Sequence, residues 1–381
     1  MVQEKLVSSE KTKNDNNVYH DGPELRFEKF DESWKEYCLE DCVIFLDNER
    51  KPLKESDRAD KKGKYPYYGA SGIIDYIDDY IFDDELILMG EDGANIITRS
   101  SRLVFLAKGK FWVNNHAHVF KAKQNFDSYF LAESLERINY EKYNTGTAQP
   151  KLNQEVCAKI KFKLPNIDEQ KRISIFLQHI DKKIELLEKK LVLCRELELT
   201  IKNKIFNNET KNSFIKLNEI CSIKKGKQLN KSDMIENGKY YVLNGGKEPS
   251  GYTNSWNVKE NTITISEGGN SCGYVSFNSE KFYCGGHCYY LTLKTTDFDL
   301  NYLFHYLKYM EPKIMRLRVG SGLPNIQKGD IGNINILKKE FNKQKEIGDF
   351  LESINIKISL ILKEKEELEL FKKGLLQKMF I

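Results

Sequence analysis

Proline is scarce in this chain, eight in 381 residues and never two together, and no apolar run approaches the ~20 residues that a membrane span needs. The stretch from Met1 to Asp21 is polar and charged and has no apolar signal-peptide core. A cytoplasmic protein with no membrane partner is therefore expected. Without adjacent prolines there is no Asn/Asp-Pro-Pro-aromatic box of a DNA amino-methyltransferase, and the phosphate-cradling string G-x-x-x-x-G-K-[ST] is also missing. The visible Glu-x-Lys strings, Glu169-Gln170-Lys171 and Glu188-Lys189-Lys190, lie in segments of helical periodicity, where solvated surface is expected rather than a nuclease metal site. No catalysis is expected of this chain. Charge of one sign is lacking too: 60 Lys and Arg against 56 Asp and Glu leave a net +4. Any nucleic-acid surface must then be a local patch, because neutralising phosphates takes clustered cations.

What the chain does have is a copy of itself. Gly146-Thr147-Ala148-Gln149-Pro150-Lys151-Leu152 answers Gly320-Ser321-Gly322-Leu323-Pro324-Asn325-Ile326, an offset of 174 residues. Gln170-Lys171-Arg172-Ile173 answers Gln344-Lys345-Glu346-Ile347, and Phe206 answers Phe380. Further up, Thr262 to Ser266 answers Ile87 to Gly90, Glu267-Gly268-Gly269 answers Glu91-Asp92-Gly93, and Phe282 to His287 answers Phe111 to His116. Short apolar runs punctuated by glycine read as strands in both copies. A unit of β-rich domain plus long helix, used twice, suits a target with two half-sites, and DNA is the obvious one.

The helices carry the clearest periodicity. Ile173, Leu177, Ile180, Ile184, Leu187, Leu191, Cys194, Ile201 and Ile205 follow steps of four and three, with one gap at Glu198. Ile347, Leu351, Ile354, Ile358, Ile361, Leu368, Leu375 and Met379 do the same, with Lys365 and Lys372 as breaks. Sustained apolar a and d positions predict a coiled coil. At ~1.5 Å per residue each helix would run about 57 Å, and the economical partner for each stripe is the other helix, antiparallel. A homodimeric coiled coil, or a bundle with a partner's helices, is the competing arrangement.

Polar loops are the candidate contacts. The first domain offers Lys64, Tyr68, Arg99, Arg102, Asn114, Asn115, His116, Thr147 and Gln149; the second offers Lys227, Gln228, Asn244, Lys247, Asn270, Ser271, His287 and Ser321. Lys and Arg neutralise phosphates, Asn and Gln can bond adenine at two points, and nearby glycines let the backbone approach a groove. Cys272, Cys284, His287 and Cys288 would make a zinc set, but the matching positions, about Ser101, Val113, His116 and Ala117, lack thiols. No metal is expected, and the eight cysteines are read as reduced, buried thiols instead of a disulfide framework.

These strings resemble the specificity (S) subunits of type I restriction–modification systems. Pro23-Glu24-Leu25-Arg26-Phe27 followed by Trp34 is similar to the family's opening. Gly146 to Leu152, Leu164-Pro165 and Glu169 to Ile173 resemble its junction of domain and helix, and Tyr68 to Gly72 with Gly90 to Gly93 resembles one type of recognition domain. The resemblance implies two target-recognition domains of mixed α and β structure, joined by an antiparallel coiled coil with pseudo-twofold symmetry. It implies double-stranded DNA and two modification (methyltransferase) subunits as partners, with restriction subunits as further ones. S-adenosylmethionine, ATP and Mg2+ would then sit on those partners, and this chain would bind no cofactor. The expected layout is a polar leader over residues 1–33, loose until Pro23, a first recognition domain over 34–166 and a helix over 167–207. A linker over 208–216, a second domain over 217–340 and a helix over 341–381 complete it. The second opening has no Pro-Glu-Leu-Arg-Phe string, and Lys338-Lys339-Glu340 stands where the first junction has Lys163-Leu164-Pro165. The loops differ widely, so the expected target is asymmetric. A scaffold whose β-rich domains bind protein or glycan is the alternative.

Overall fold

A computed structural model describes residues 5–8, 22–207, 213–320 and 324–381. The chain divides into two compact units, Met1–Leu186 with Lys365–Ile381, and Leu187–Glu364. Among the described residues no helix is long and apolar enough to cross a membrane.

The first unit is built on a six-stranded sheet. Its order is Val43–Phe45, Ala117–Ala122, Phe82–Gly90, Val104–Val113, Lys62–Gly69 and Gly72–Ile77. All neighbours are antiparallel except Tyr67-Tyr68, which runs parallel to Trp112-Val113. Leu86 to Met89 are all buried, so this central strand is apolar on both faces. The helix Ser128–Glu136 covers the sheet and starts at Asp127, whose carboxylate accepts the Phe130 N–H at 2.9 Å. The strands Lys35–Cys38 and Lys161–Leu164 then pair and bring the chain to the first long helix, Ile167–Asn207.

The second unit follows the same order with one change. A four-stranded sheet (Cys221–Lys225, Cys288–Leu293, Thr262–Ser266, Val275–Asn278) is separate from a three-stranded one (Gly251–Thr253, Tyr240–Leu243, Tyr283–Cys284). The first unit joins these parts through the ten-residue strand Val104–Val113. Its counterpart is interrupted between Asn278 and Tyr283, and the sheet splits there. The parallel pairing survives as Val242-Leu243 against Tyr283-Cys284. The helix Leu300–Met315 starts at Asp299, which accepts the Tyr302 N–H at 2.8 Å, and Phe214–Lys216 pairs with Asn335–Leu337 before the second long helix, Phe341–Met379.

Both long helices bury their seams. Ile173, Leu177, Ile180, Leu187, Leu191, Ile347, Leu351, Ile358, Ile361 and Leu375 are buried, and Ile184, Ile201, Ile354 and Leu368 are half-buried. In the first unit Ile173, Leu177 and Ile180 share one core with Leu375, Met379 and Phe380. In the second, Ile201, Ile205 and Phe206 share one core with Ile347, Leu351 and Ile354. The start of one helix thus packs with the end of the other in each unit, which is antiparallel pairing. Each such buried side chain contributes about 1.5–3 kcal/mol.

Two expectations need correction. The leader is not loose throughout before Pro23, since Leu6–Ser8 forms a strand antiparallel to Leu25–Phe27 and Leu6 packs on the core. Glu169 and Gln170, expected on solvated helix surface, are 0% and 1% exposed. The helix start docks into its own domain: the Arg26 guanidinium donates to both Glu169 oxygens at 2.7 Å. Helical periodicity does not reveal this, because it marks which face is apolar, not which end is capped by a domain.

Candidate nucleic-acid interface

At one end of the first sheet, separate segments are stitched together by main-chain bonds. The Glu91 N–H donates to the His116 carbonyl at 2.9 Å, the Leu152 N–H to the Glu91 carbonyl at 2.8 Å, and the Gly93 N–H to the Pro150 carbonyl at 3.0 Å. The Asn114 N–H donates to the Tyr68 carbonyl at 3.0 Å, which adds the end of a fourth segment. Charges lie beneath this edge. The Glu91 carboxylate takes Arg50 at 2.7 Å and Lys151 at 3.2 Å; burial opposes its charge, but these cations and His118 hold its pKa below the ordinary value. His118 is buried, with one ring nitrogen 2.6 Å from Asp47 and the other 2.7 Å from the Leu152 carbonyl. Burial works against its positive charge, yet the Asp47 carboxylate and the neighbouring Cys157 lift its pKa to about 10. A protonated imidazole donates through both nitrogens, so His118 ties the 144–152 loop to the sheet.

The second unit repeats the frame bond for bond. The Glu267 N–H donates to the His287 carbonyl at 2.9 Å, the Ile326 N–H to the Glu267 carbonyl at 2.9 Å, and the Gly269 N–H to the Pro324 carbonyl at 3.0 Å. The Lys227 N–H reaches the Cys284 carbonyl at 2.9 Å, and the His287 N–H reaches the Asn244 side-chain oxygen at 3.4 Å. Gly245 has φ +89°, and a Cβ there would sit 2.7 Å from the His287 carbonyl, so only glycine fits this crossing. Beneath the edge the chemistry differs. Glu267 takes Lys225 at 2.6 Å and the Tyr289 hydroxyl at 2.9 Å through one oxygen. Its other oxygen is buried without a hydrogen bond, 3.9 Å from His287.

Among the predicted contacts, Asn115, His116, Thr147 and Gln149 are exposed in the first unit, and Lys227, Gln228, Lys247, Asn270 and His287 in the second. Asn244 and Ser271 are half-buried. The edges bring most of these together: 114–116 with 147–152, and 226–228 with 244–245, 269–271 and 287. His116 is held by Asp92 at 2.8 Å, and Lys247 lies over the Tyr274 ring. Ser321 lies outside the described residues.

Five first-domain candidates have other occupations. Arg99 pairs with Glu136 at 2.7 Å and Arg102 with Glu133 at 2.9 Å, so acids on the helix Ser128–Glu136 already neutralise both guanidinia. Asn114 is 6% exposed, and its side-chain oxygen accepts the His116 N–H at 2.8 Å, which makes the turn. Tyr68 packs against Phe105 and Phe111, both ring centroids 5.6 Å away. Lys64 lies over the Tyr65 ring near the start of its strand, whereas the edge is at that strand's end. The sequence reading missed Arg50, Glu91, His118, Glu267 and Tyr289. Only the acids left a usable signal, recurring at matching places beside glycine. The thiols of Cys272 and Cys284 donate to the carbonyls of Glu267 at 3.0 Å and Cys288 at 3.5 Å.

Two domains of one plan, each with a stitched polar edge and paired helices behind it, define a double recognition module. The model of the type I restriction modification DNA specificity domain matches the chain twice, over residues 31–193 and 209–370, and the chain belongs to that family. A putative type I restriction enzyme specificity subunit of Haemophilus influenzae is 28% identical over 230 residues, 58% of each chain. A putative type I specificity subunit of Mycoplasma pneumoniae is 35% identical over 37% of this chain and 38% of its own length. The chain thus spans about half or less of these two relatives. The MjaVIII specificity subunit of Methanocaldococcus jannaschii is 24% identical over 91% of each. The crystal structure of a type I restriction–modification S subunit from M. genitalium superposes with a TM-score of 0.77 at 20% identity, covering 94% of this chain and 99% of that one. It shares the fold.

Proposed function

We propose that this chain is a non-catalytic, cytoplasmic specificity subunit that reads a bipartite, asymmetric duplex-DNA target, one half-site per domain. The observation that carries this reading is the pair of edges with one main-chain frame and one shared exposed histidine, His116 or His287, beside different exposed side chains: Asn115 and Gln149 on one, Lys227, Gln228 and Asn270 on the other. Common bonds hold the loops, while the side chains that meet base edges differ, so the two half-sites differ. Exposed apolar side chains on the long helices support a second role. Val192, Leu193, Leu197 and Leu199 in one unit, and Leu370 and Phe371 in the other, suit docking of methyltransferase subunits. S-adenosylmethionine, ATP and Mg2+ belong to those subunits and to restriction partners.

The test is co-expression with a type I methyltransferase subunit, followed by mapping of adenine methylation across the host genome. Two short, unequal halves around a constant gap are expected, and exchanging residues 34–165 for another such domain should change one half only. A stable complex without new methylation, or a change in both halves, overturns the reading. Duplex-dependent binding that weakens steeply with salt separates it from a protein- or glycan-binding scaffold.

A further inference from the structure

The long helices align residue for residue through Gln170 and Gln344. Gln170 accepts the Asp127 N–H at 3.0 Å and donates to the Pro165 carbonyl at 2.8 Å; Gln344 accepts the Asp299 N–H at 3.0 Å and donates to the Lys339 carbonyl at 2.9 Å. On that alignment most seam positions are apolar in both helices, such as Ile173 with Ile347, Leu177 with Leu351 and Ile201 with Leu375. At one level the two carry opposite charges. Glu198 in the first helix corresponds to Lys372 in the second.

Lys372 is 13% exposed and pairs with Asp181 of the first helix, 3.9 Å from Glu133 of the domain helix. The second Asp181 oxygen accepts the Tyr129 hydroxyl, and Arg102 holds Glu133. In the other unit Glu198 pairs with Lys202 of its own helix. There Asn355 stands in Asp181's place. His305 stands in Glu133's, fully buried, 3.3 Å from Glu352 without the alignment of a hydrogen bond.

We propose that this level is a pairing code by which the first helix accepts the second half of the chain and rejects a second copy of its own half. In an antiparallel pair of two first helices, the position now filled by Lys372 would hold Glu198. Asp181, Glu133 and Glu198 would then meet: buried Glu133 would keep Arg102, but Asp181, 38% exposed, would lose its cation and face two further carboxylates, so the level would repel instead of attract. In a pair of two second halves, Lys372 would face Asn355 and His305 instead of two carboxylates. Neither like pair satisfies the level; only the unlike pair does. An apolar stripe alone would leave all three pairings open, since Ile and Leu at matching positions fit one another equally.

Lys372→Glu in the full chain recreates the three-carboxylate cluster of a like pair inside one molecule, while Lys372→Met removes the charge and keeps the stem. The charged and titratable groups around the cluster are Asp181, Tyr129, Glu133, Arg137 and Arg102. At pH 7, Lys372→Glu should melt roughly 2–5 °C below Lys372→Met, the shift expected of like-charge repulsion around a part-exposed carboxylate in a unit of this size. Crowding raises the carboxylate pKa values in the folded variant above their unfolded values. The gap should therefore shrink by at least half at pH 5, where the cluster gains protons. Lys372→Glu with Asp181→Lys should recover most of the loss, and this double variant decides the matter if both single variants fail to fold. Equal melting of Lys372→Glu and Lys372→Met, a gap that does not respond to pH, or a double variant no better than Lys372→Glu would each overturn the proposal.

Discussion

The two recognition domains agree in their main-chain bonds and disagree in almost everything the bonds support. Glu91 and Glu267 make the same backbone contacts to the loops around them. Below them, Arg50, Lys151 and His118 surround the first acid, whereas Lys225 and Tyr289 hold one oxygen of the second and leave the other without a bond. The helix junctions diverge in the same way. The first domain clamps buried Glu169 with Arg26; the second has Lys343 at that helix position, exposed and paired with Glu346. Amide bonds do not depend on side-chain identity, so a frame built from them tolerates free variation of the loops it holds. That is what the proposed reading of two different half-sites requires.

The largest expected contrast is at the junctions. Arg26→Ala leaves a buried carboxylate unpaired and should destabilise by about 3–5 kcal/mol in denaturant titration, whereas Lys343→Ala should stay within about 0.5 kcal/mol. A small effect of Arg26→Ala would mean that the first helix start is held by apolar packing alone. Next comes the seam: Ile180, 8% exposed, and Ile354, half-buried, occupy matching positions. Ile180→Asp should cost about 3–5 kcal/mol and Ile354→Asp roughly 1–3 kcal/mol; the reverse order would contradict the burial difference.

The domains should also differ in their response to pH. The folded pKa of His118 is raised to about 10 from an ordinary 6.5, so its stabilisation is full below pH 6.5 and is lost as pH rises towards 10. Burial, and after it Lys202, lowers the pKa of His305 to about 3, so the second unit loses stability as pH falls from 6.5 towards 3. His118→Gln should flatten the alkaline loss and leave the acid one, read by chemical unfolding across pH 4–10. Smallest for stability are His116→Ala and His287→Ala, each within about 0.5 kcal/mol. Their effect belongs in methylation maps, where each should relax one half-site; an equal effect on both halves would separate these residues from base reading.

The double architecture was legible because it is written in local periodicity and internal likeness. Steps of four and three locate the seam, and the recurring Gly-flanked acids mark where each sheet ends. The candidate contacts were legible only in part. Asn115, His116, Lys227 and His287 are exposed on the edges, but Arg99 and Arg102 face acids about 30 residues or more along the chain. A basic loop in sequence looks the same whether its partner is a phosphate or a glutamate on a following helix.

By itself the sequence determined that the chain is a repeat, that each copy ends in an amphipathic helix, and that no run of it is long and apolar enough for a membrane-crossing helix. Those properties depend on neighbours within a few residues, or on comparison at a constant offset. Tertiary structure alone decided which cations are spent inside, that Glu169 lies under Arg26, and that Lys372 interrupts its stripe to meet Asp181. Each is a contact across about 30 to 190 residues of chain, set by how sheets and helices pack, and no spacing rule reaches that far.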